Sequence, residues 1–567
     1  MSDQAPRDAY LLAQAYYVGK QYCRSYALLT DSKLVEADIR CRYLAARCLA
    51  NLKEWDDCLN IMGGDPGYTD MARMQENMAE VEVGGELSYR AAMSLLRGQV
   101  YEAQENRIQA VRWYRDALRT DPFCYEAFKA LVEGHMLTSN EEASLRESLR
   151  FREEDRWLHL LYRAKSKKHD QEYTMEATLA ALEAPAPPPV TRDPPAAKQG
   201  TPQAPVEPLQ PSTSARVNSH KDSDSGGMRT RSRAQREPSP NGTDTVMQED
   251  LPDEDAENAG KGGCGLGGNL DVALCRAGWH LHCGEYQACY ALTAELLARD
   301  PYALEAMPVH LAAALELGKK NELFLHSHKL VEEYPEHVVA WFAVGCYYQS
   351  IGRYDSARQY FGKATAMDPS FAPAWLGFGH AFAAQDESDQ AMAAYRTASR
   401  LFPGLHQPLL GMGCEYARMN NNALAEQVLR SAHAVCPQDA QPCHELGCLF
   451  YRAGDYPTAK VWLQKAHQQI PRPLTPASEP TLTALGHTFR KLRMFKEAAA
   501  CFDSALSILP GQASTFAGLA YTYHLENRIQ DAIDSYHKAL ALRPEDSLVA
   551  ELLTLAMQDS AKTDNSF

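Results

Sequence analysis

Six prolines stand on one ruler in the second half of the chain: Pro301, Pro335, Pro369, Pro403, Pro437 and Pro471, each 34 residues from the next. Between them the same residue types recur at the same places. Trp341, Val344, Gly345, Tyr348, Ala357, Phe361 and Ala364 precede Pro369, and Trp375, Phe378, Gly379, Phe382, Ala391, Tyr395 and Ala398 precede Pro403. Within each unit the apolar residues fall at i, i+3, i+4 and i+7, which places them on one helical face. Gly and Ala at fixed positions let two helices approach closely, and the proline ends the second helix. A single unit cannot bury its own apolar face, so such a chain must stack its units into a continuous core.

The 34-residue layout identifies the tetratricopeptide repeat, a pair of antiparallel helices. Further units follow with Leu409, Met412, Gly413, Tyr416, Ala425, Leu429 and Ala432, and with Cys443, Leu446, Gly447, Phe450, Ala459, Leu463 and Ala466. After a longer turn, PRPLTPASEP, two more begin at Leu482 and Phe516. Gly379 is expected to face Ala391 across its hairpin. Earlier in the chain, Tyr10 to Tyr17 and Cys41 to Ala50 read as helices, and Gly63 to Gly85 reads as a loop because Gly–Gly and Pro–Gly breaks punctuate it. One clear unit there has Ser94, Gly98, Tyr101, Ala110, Tyr114, Ala117 and Pro122, with Arg97 where Leu is expected. Phe128, Leu131 and His135 open a degenerate unit.

The expected fold is therefore all-α: a tetratricopeptide superhelix in two blocks with a disordered linker. An N-terminal helical block covers 8–165, the linker 166–268, the C-terminal superhelix with its capping helix 269–558, and a disordered tail 559–567. Pro, Ser, Thr, Gly and Asp dominate the linker, leaving too few apolar residues to offset the entropy of ordering it. It carries a basic run, Arg229, Arg231, Arg233 and Arg236, and the Ser239–Pro240 and Thr201–Pro202 pairs.

Composition narrows the function. A net charge of −16 and a pI near 5.6 argue against a nucleic-acid binder. No run of 18 apolar residues suggests a membrane span, and MSDQAPRDAY lacks the pattern of a secretory signal. The 15 cysteines lie on helical faces and read as reduced thiols of the nucleus or cytoplasm. No phosphate-binding loop, nucleophile elbow or H-E-x-x-H motif is present, so no enzyme activity and no cofactor is expected. Cys275, His280, His282 and Cys283 have spacings that do not share one helix face, so no metal site is expected there.

The chemistry of such an array lies in the groove formed by its first helices. The positions one and five after the tryptophan site face inward, giving Phe342, Cys346, Leu376, His380, Leu410, Cys414, His444, Cys448, His487 and Tyr521. This lining reads as apolar and poor in charge, suited to a peptide with apolar anchors and an uncharged terminus. A carboxylate clamp would need Lys and Asn at inner sites, and this chain has neither there. An inner asparagine ladder is also missing: its sites hold Ala343, Gly377, Gly411, Glu445, Ala484 and Gly518.

Several stretches go beyond generic repeat residues: CRYLAARC (Cys41–Cys48), HMLT (His135–Thr138), ELFLHSHKLVEEYP (Glu322–Pro335), WFAVGCYY (Trp341–Tyr348) and DQAMAAY (Asp389–Tyr395). Together they closely resemble tetratricopeptide scaffold subunits of the anaphase-promoting complex, over both blocks. The resemblance implies a non-catalytic scaffold of a multisubunit ubiquitin ligase acting in mitosis. It also implies a homodimer through the N-terminal repeats and a superhelix that encloses the acetylated N-terminus of a small accessory subunit. Relatives carry a further hairpin before the Tyr10 equivalent and a shorter linker. The alternative is another tetratricopeptide adaptor, in chaperoning or transport.

Overall fold

The computed structural model describes residues 4–63, 88–152, 155–166, 172–183, 268–470 and 474–564. All regular structure among them is helical. The first run comprises α1 (Gln4–Val18), α2 (Tyr22–Asp31), α3 (Leu34–Ala37), α4 (Ile39–Leu52), α5 (Trp55–Met62), α6 (Tyr89–Ala103), α7 (Arg107–Thr120), α8 (Tyr125–Glu133), α9 (Ser139–Ser148), α10 (Arg156–Lys165) and α11 (Glu172–Glu183). The second opens with α12 (Leu270–His282), α13 (Tyr286–Arg299), α14 (Met307–Glu316), α15 (Lys320–Glu333), α16 (Val338–Ser350), α17 (Tyr354–Met367), α18 (Ala372–Ala383) and α19 (Ser388–Leu401). It continues with α20 (Gln407–Arg418), α21 (Asn422–Val435), α22 (Ala440–Ala453), α23 (Tyr456–Gln469), α24 (Glu479–Lys491), α25 (Phe495–Ile508), α26 (Ala513–Leu525), α27 (Ile529–Leu542) and α28 (Ser547–Asp564).

Two local devices keep the ruler. Each hairpin turn of the second run reverses through a left-handed residue, among them Gly318, Gly352, Asp386, Asn420 and Gly454, with φ from 58° to 85°. Gly, Asn and Asp accept that conformation most readily. The tryptophan then pins one unit to the one before it. Trp341 Nε1 donates to Pro335 O at 2.9 Å, and Trp375 Nε1 donates to Pro369 O at 3.0 Å.

The glycines follow a rule that involves three helices. The ring of Tyr395, not Ala391, fills the space beside Gly379, where a Cβ would lie 2.3 Å from Tyr395 Cε1. The next unit presents Gly411 to the same ring, at 2.8 Å from Cζ. Phe361 lies likewise between Gly345 and Gly377, and Phe502 between Gly486 and Gly518. Where the second helix carries Leu429 or Leu463 instead of a ring, the later position holds Glu445 or Ala484. The positions that an asparagine ladder would use are thus packing slots for the preceding unit. Arg97 also has a physical account. Its guanidinium donates to Gly63 O at 2.9 Å and sits 4.5 Å from the centre of the Trp113 ring, so it binds the previous hairpin's end where Leu would only pack.

The described residues differ from expectation at two boundaries. Helix α11 lies inside the stretch read as linker; its Met175, Leu179 and Leu182 are buried in one core with Val272, Cys275 and Trp279 of α12. An Ala-rich helix running into a Pro-rich segment hid that apolar stripe. At the other end α28 runs to Asp564, past the expected end of the cap, and Asp559 Oδ2 lies 3.3 Å from His524 Nε2. The rest of the expected linker, with its basic run and Ser–Pro and Thr–Pro pairs, and nearly all of the expected Gly63–Gly85 loop lie outside the described residues.

The two runs also form one compact unit rather than separate blocks. Lys165 Nζ meets Asp271 Oδ1 at 2.6 Å, and Lys129 Nζ meets Glu305 Oε1 at 2.5 Å. Farther along, Gly404 N donates to His135 O at 3.0 Å and Thr475 Oγ1 donates to Cys283 O at 2.9 Å. Successive turns of the superhelix therefore touch.

Candidate functional site

The contact between turns borders a half-open cavity of about 1200 Å³. Its walls are the N-terminal ends of the first helices and the segments entering them. They include Val339 of α16, Leu376 of α18, Leu410 of α20, His444 of α22 and Thr481 of α24. The first run closes the cavity with Val132, His135 and Lys165. The groove read from the sequence used the second run alone and missed this closure.

Of the ten residues expected to face inward, Leu376, Leu410 and His444 line the cavity. All three stand one residue after the tryptophan site. Phe342 and Cys346 are corrected from groove to core, since both are buried. Phe342 packs against Phe361 and Phe371 with ring centres 5.8 and 5.3 Å away, because the following hairpin covers it. His380, Cys414, Cys448, His487 and Tyr521 lie a helical turn farther on and are not among the cavity walls. His380 is open to solvent and its Nδ1 is hydrogen-bonded to the Tyr395 hydroxyl at 2.8 Å. Arg490 lies over the Tyr521 ring at 4.9 Å.

These side chains are uncharged near neutrality. Burial among the helices lowers the pKa of His444, and burial with help from Arg490 lowers that of His487 to about 4. Burial, reinforced by Glu445, pushes the Cys414 and Cys448 thiols up to about 12. The groove thus offers neutral imidazoles and protonated thiols, which donate and accept hydrogen bonds but are poor nucleophiles.

The expectation of a charge-poor lining is corrected. Glu133, Asp271, Glu305, Asp368, Asp439 and Glu445 border the cavity, against Lys165. The reason lies in the segments that enter the first helices, which the inward-facing register does not sample. Asp439 caps α22 by accepting from Gln441 N at 3.1 Å, and Asp368, just past the end of α17, accepts from Ser370 N at 2.8 Å in the turn between helices. Most are engaged by the protein itself, as in the buried His406–Asp439 contact of 2.5 Å. Of the cysteines and histidines weighed for a metal, Cys275 is buried in the shared core and His280 Nδ1 meets Glu285 Oε2 at 2.6 Å.

Hairpins stacked on one ruler around a concave cavity define a tetratricopeptide-repeat solenoid. Family models for that repeat match residues 351–409 and 518–546, and the model described as "Anaphase-promoting complex, cyclosome, subunit 3" matches residues 1–64. The chain is 40% identical over 564 residues to anaphase-promoting complex subunit 6 of Arabidopsis thaliana, covering 98% of this chain and 91% of that protein. It is 33% identical over 572 residues to the cell division cycle protein 16 homolog of Homo sapiens, covering 98% and 79%. The crystal structure of the APC/C hetero-tetramer Cut9–Hcn1 matches with a TM-score of 0.66 at 30% identity, over 97% of this chain and 90% of that one. The chain belongs to the anaphase-promoting complex subunit 6 family.

Proposed function

We propose that the chain is a non-catalytic scaffold of the anaphase-promoting complex, a cullin–RING-type ubiquitin ligase, and serves mitotic progression in the nucleus and cytoplasm. The observation that carries this reading is the half-open cavity of about 1200 Å³ in a chain of this family. A scaffold needs interior and end surfaces for partners, and a stacked array supplies both. The first run mediates a homodimer, a reading supported by Leu11 and Val18 of α1, which are 54% and 75% exposed. The channel takes the acetylated N-terminus of a small accessory subunit. Leu376 and Leu410 supply apolar anchors, and acetylation removes an ammonium whose desolvation would be costly.

Two measurements test this. Affinity purification of the tagged chain from dividing cells should bring cullin-like and RING subunits; their consistent absence removes the ligase reading. Isothermal titration should show an acetylated N-terminal peptide of the small subunit binding more tightly than its unacetylated form. Equal affinities would mean that the channel does not read the terminus.

A further inference from the structure

The seam where Thr475 meets Cys283 carries a dipeptide that no other described segment has. Thr475 precedes Pro476, and among the described residues no other Ser or Thr is followed by proline. A proline disfavours the α conformation in the residue before it, and Thr475 is extended, with φ −104° and ψ 166°. An extended Thr–Pro pair is the form that proline-directed kinases take into their active sites. The turn after it is held from within. Thr475 O accepts from Ser478 N at 2.9 Å and from Ser478 Oγ at 2.6 Å. The backbone shape that a kinase reads is therefore set by the turn itself and not by the seam.

The side chain of Thr475 reaches across the seam. Its hydroxyl donates to Cys283 O at 2.9 Å, a carbonyl 192 residues earlier at the end of α12. Beside it Gly284 turns the chain with φ +76°, and a Cβ there would lie 2.8 Å from Ala477 Cβ and 3.0 Å from Thr475 Oγ1. The two segments touch with no room for a methyl group. Cys283, Gly284, Thr475 and Ala477 all border the cavity of about 1200 Å³, so this seam is one of its edges. Thr475 is buried while the seam is shut. At this point the seam rests on a hydrogen bond and on small residues, so opening it locally draws on far less than the stability of the whole fold.

We propose that Thr475 is a phosphorylation site for a proline-directed kinase and that its phosphate holds the seam at Cys283 and Gly284 open. In the step, Thr475 Oγ1 bonds to the γ-phosphorus of ATP, ADP leaves, and the hydroxyl proton passes to the base of the kinase. The hydrogen that is lost is the one donated to Cys283 O. The carbonyl then faces a phosphate oxygen, acceptor against acceptor. The new group carries a charge of about −1.5 to −2. Among the described residues bordering the cavity there is no arginine, and the one lysine, Lys165, is engaged by Asp271 at 2.6 Å and Glu133 at 3.4 Å. Glu305, Asp368, Asp439 and Glu445 add negative charge to the same walls. A phosphate there meets repulsion instead of a cationic partner, and the seam yields. Modification follows a transient opening, because the hydroxyl is covered in the shut form. The other contact between turns, Gly404 N to His135 O, is left intact. The switch acts on the superhelix itself and does not depend on what the channel binds.

The test uses the full chain with Thr201→Ala and Ser239→Ala, which removes the two other Ser/Thr–Pro pairs of the sequence. It is incubated with ATP and a cyclin-dependent kinase and, separately, with ATP and a mitogen-activated kinase. Mass spectrometry should find one phosphate per chain, on Thr475, and none once Thr475→Val is added. Thr475→Val keeps the β-branched shape, and an unchanged circular dichroism spectrum ties the lost phosphate to the hydroxyl and not to the fold. Amide exchange in the phosphorylated chain should rise at least about tenfold at 281–286 and stay as it was at 132–138. A chain that neither kinase phosphorylates at Thr475 overturns the proposal. So does phosphate on Thr475 with exchange at 281–286 unchanged.

Discussion

Gly411 is the sharpest test of the three-helix packing rule. In Gly411→Ala the new Cβ would lie 2.8 Å from Tyr395 Cζ and 2.9 Å from both Cε atoms. Carbons rest at about 3.5–4.0 Å, so the ring would have to retreat by nearly 1 Å. It has nowhere to go. Its other face lies against Gly379, where even a Cβ would come within 2.3 Å, and His380 holds its hydroxyl at 2.8 Å. Overpacking a site with no slack costs about 3 kcal/mol, the upper part of the usual range. Replacing a helical Gly by Ala gains about 1 kcal/mol in propensity, which leaves a net loss of about 2 kcal/mol. In a Tyr395→Leu background the clash is absent, as it is where Leu463 faces Ala484. There Gly411→Ala should stabilise by about 1 kcal/mol, so the two sites couple by about 3 kcal/mol. Urea unfolding of the four proteins, followed by circular dichroism, measures that coupling. If Gly411→Ala has the same effect in both backgrounds, the ring is not what requires the glycine.

Three further outcomes are expected. Gly404→Ala puts a Cβ 1.9 Å from Leu137 O and 2.8 Å from His135 O, a backbone clash that no rotamer relieves. It should cost about 3 kcal/mol and raise amide exchange at 132–138 while leaving α26 and α27 unchanged; unaltered exchange at 132–138 would show that the turns do not depend on this contact. Leu410→Glu and His444→Glu should each weaken the acetylated peptide at least about tenfold by burying a carboxylate against it, with circular dichroism unchanged. Wild-type affinity in both variants would place the peptide elsewhere. Burial lowers His310 to about 4 in the folded protein, against its ordinary 6.5 when unfolded, so the unfolded chain takes up the proton first. Stability should be full above pH 6.5, fall as pH drops, and stop falling through this group below 4. Between pH 7 and 5 the wild type should lose about 2 kcal/mol more than His310→Leu, and parallel losses in the two proteins would remove His310 as the source.

The period alone determined the hairpins, their order, the tryptophan register and the terminal cap. It also placed Leu376, Leu410 and His444 on the inner wall. Contacts inside a unit join residues a fixed distance apart in sequence, and they recur, so a ruler of prolines exposes them. The same ruler could not separate Phe342 and Cys346 from the open lining, because the covering comes from the following hairpin and not from their own helix. Nor could it reveal that Gly377, Gly411 and Gly518 serve the ring of the preceding unit, a relation visible only once three helices are in contact. Helix α11 was masked by the composition around it. The closing of the channel was decided by tertiary structure alone. Gly404 meets His135 and Thr475 meets Cys283 only because small rotations between hairpins accumulate into a full superhelical turn. That rotation is a sum over many packing contacts, and no local pattern of residues encodes where it brings the chain back onto itself.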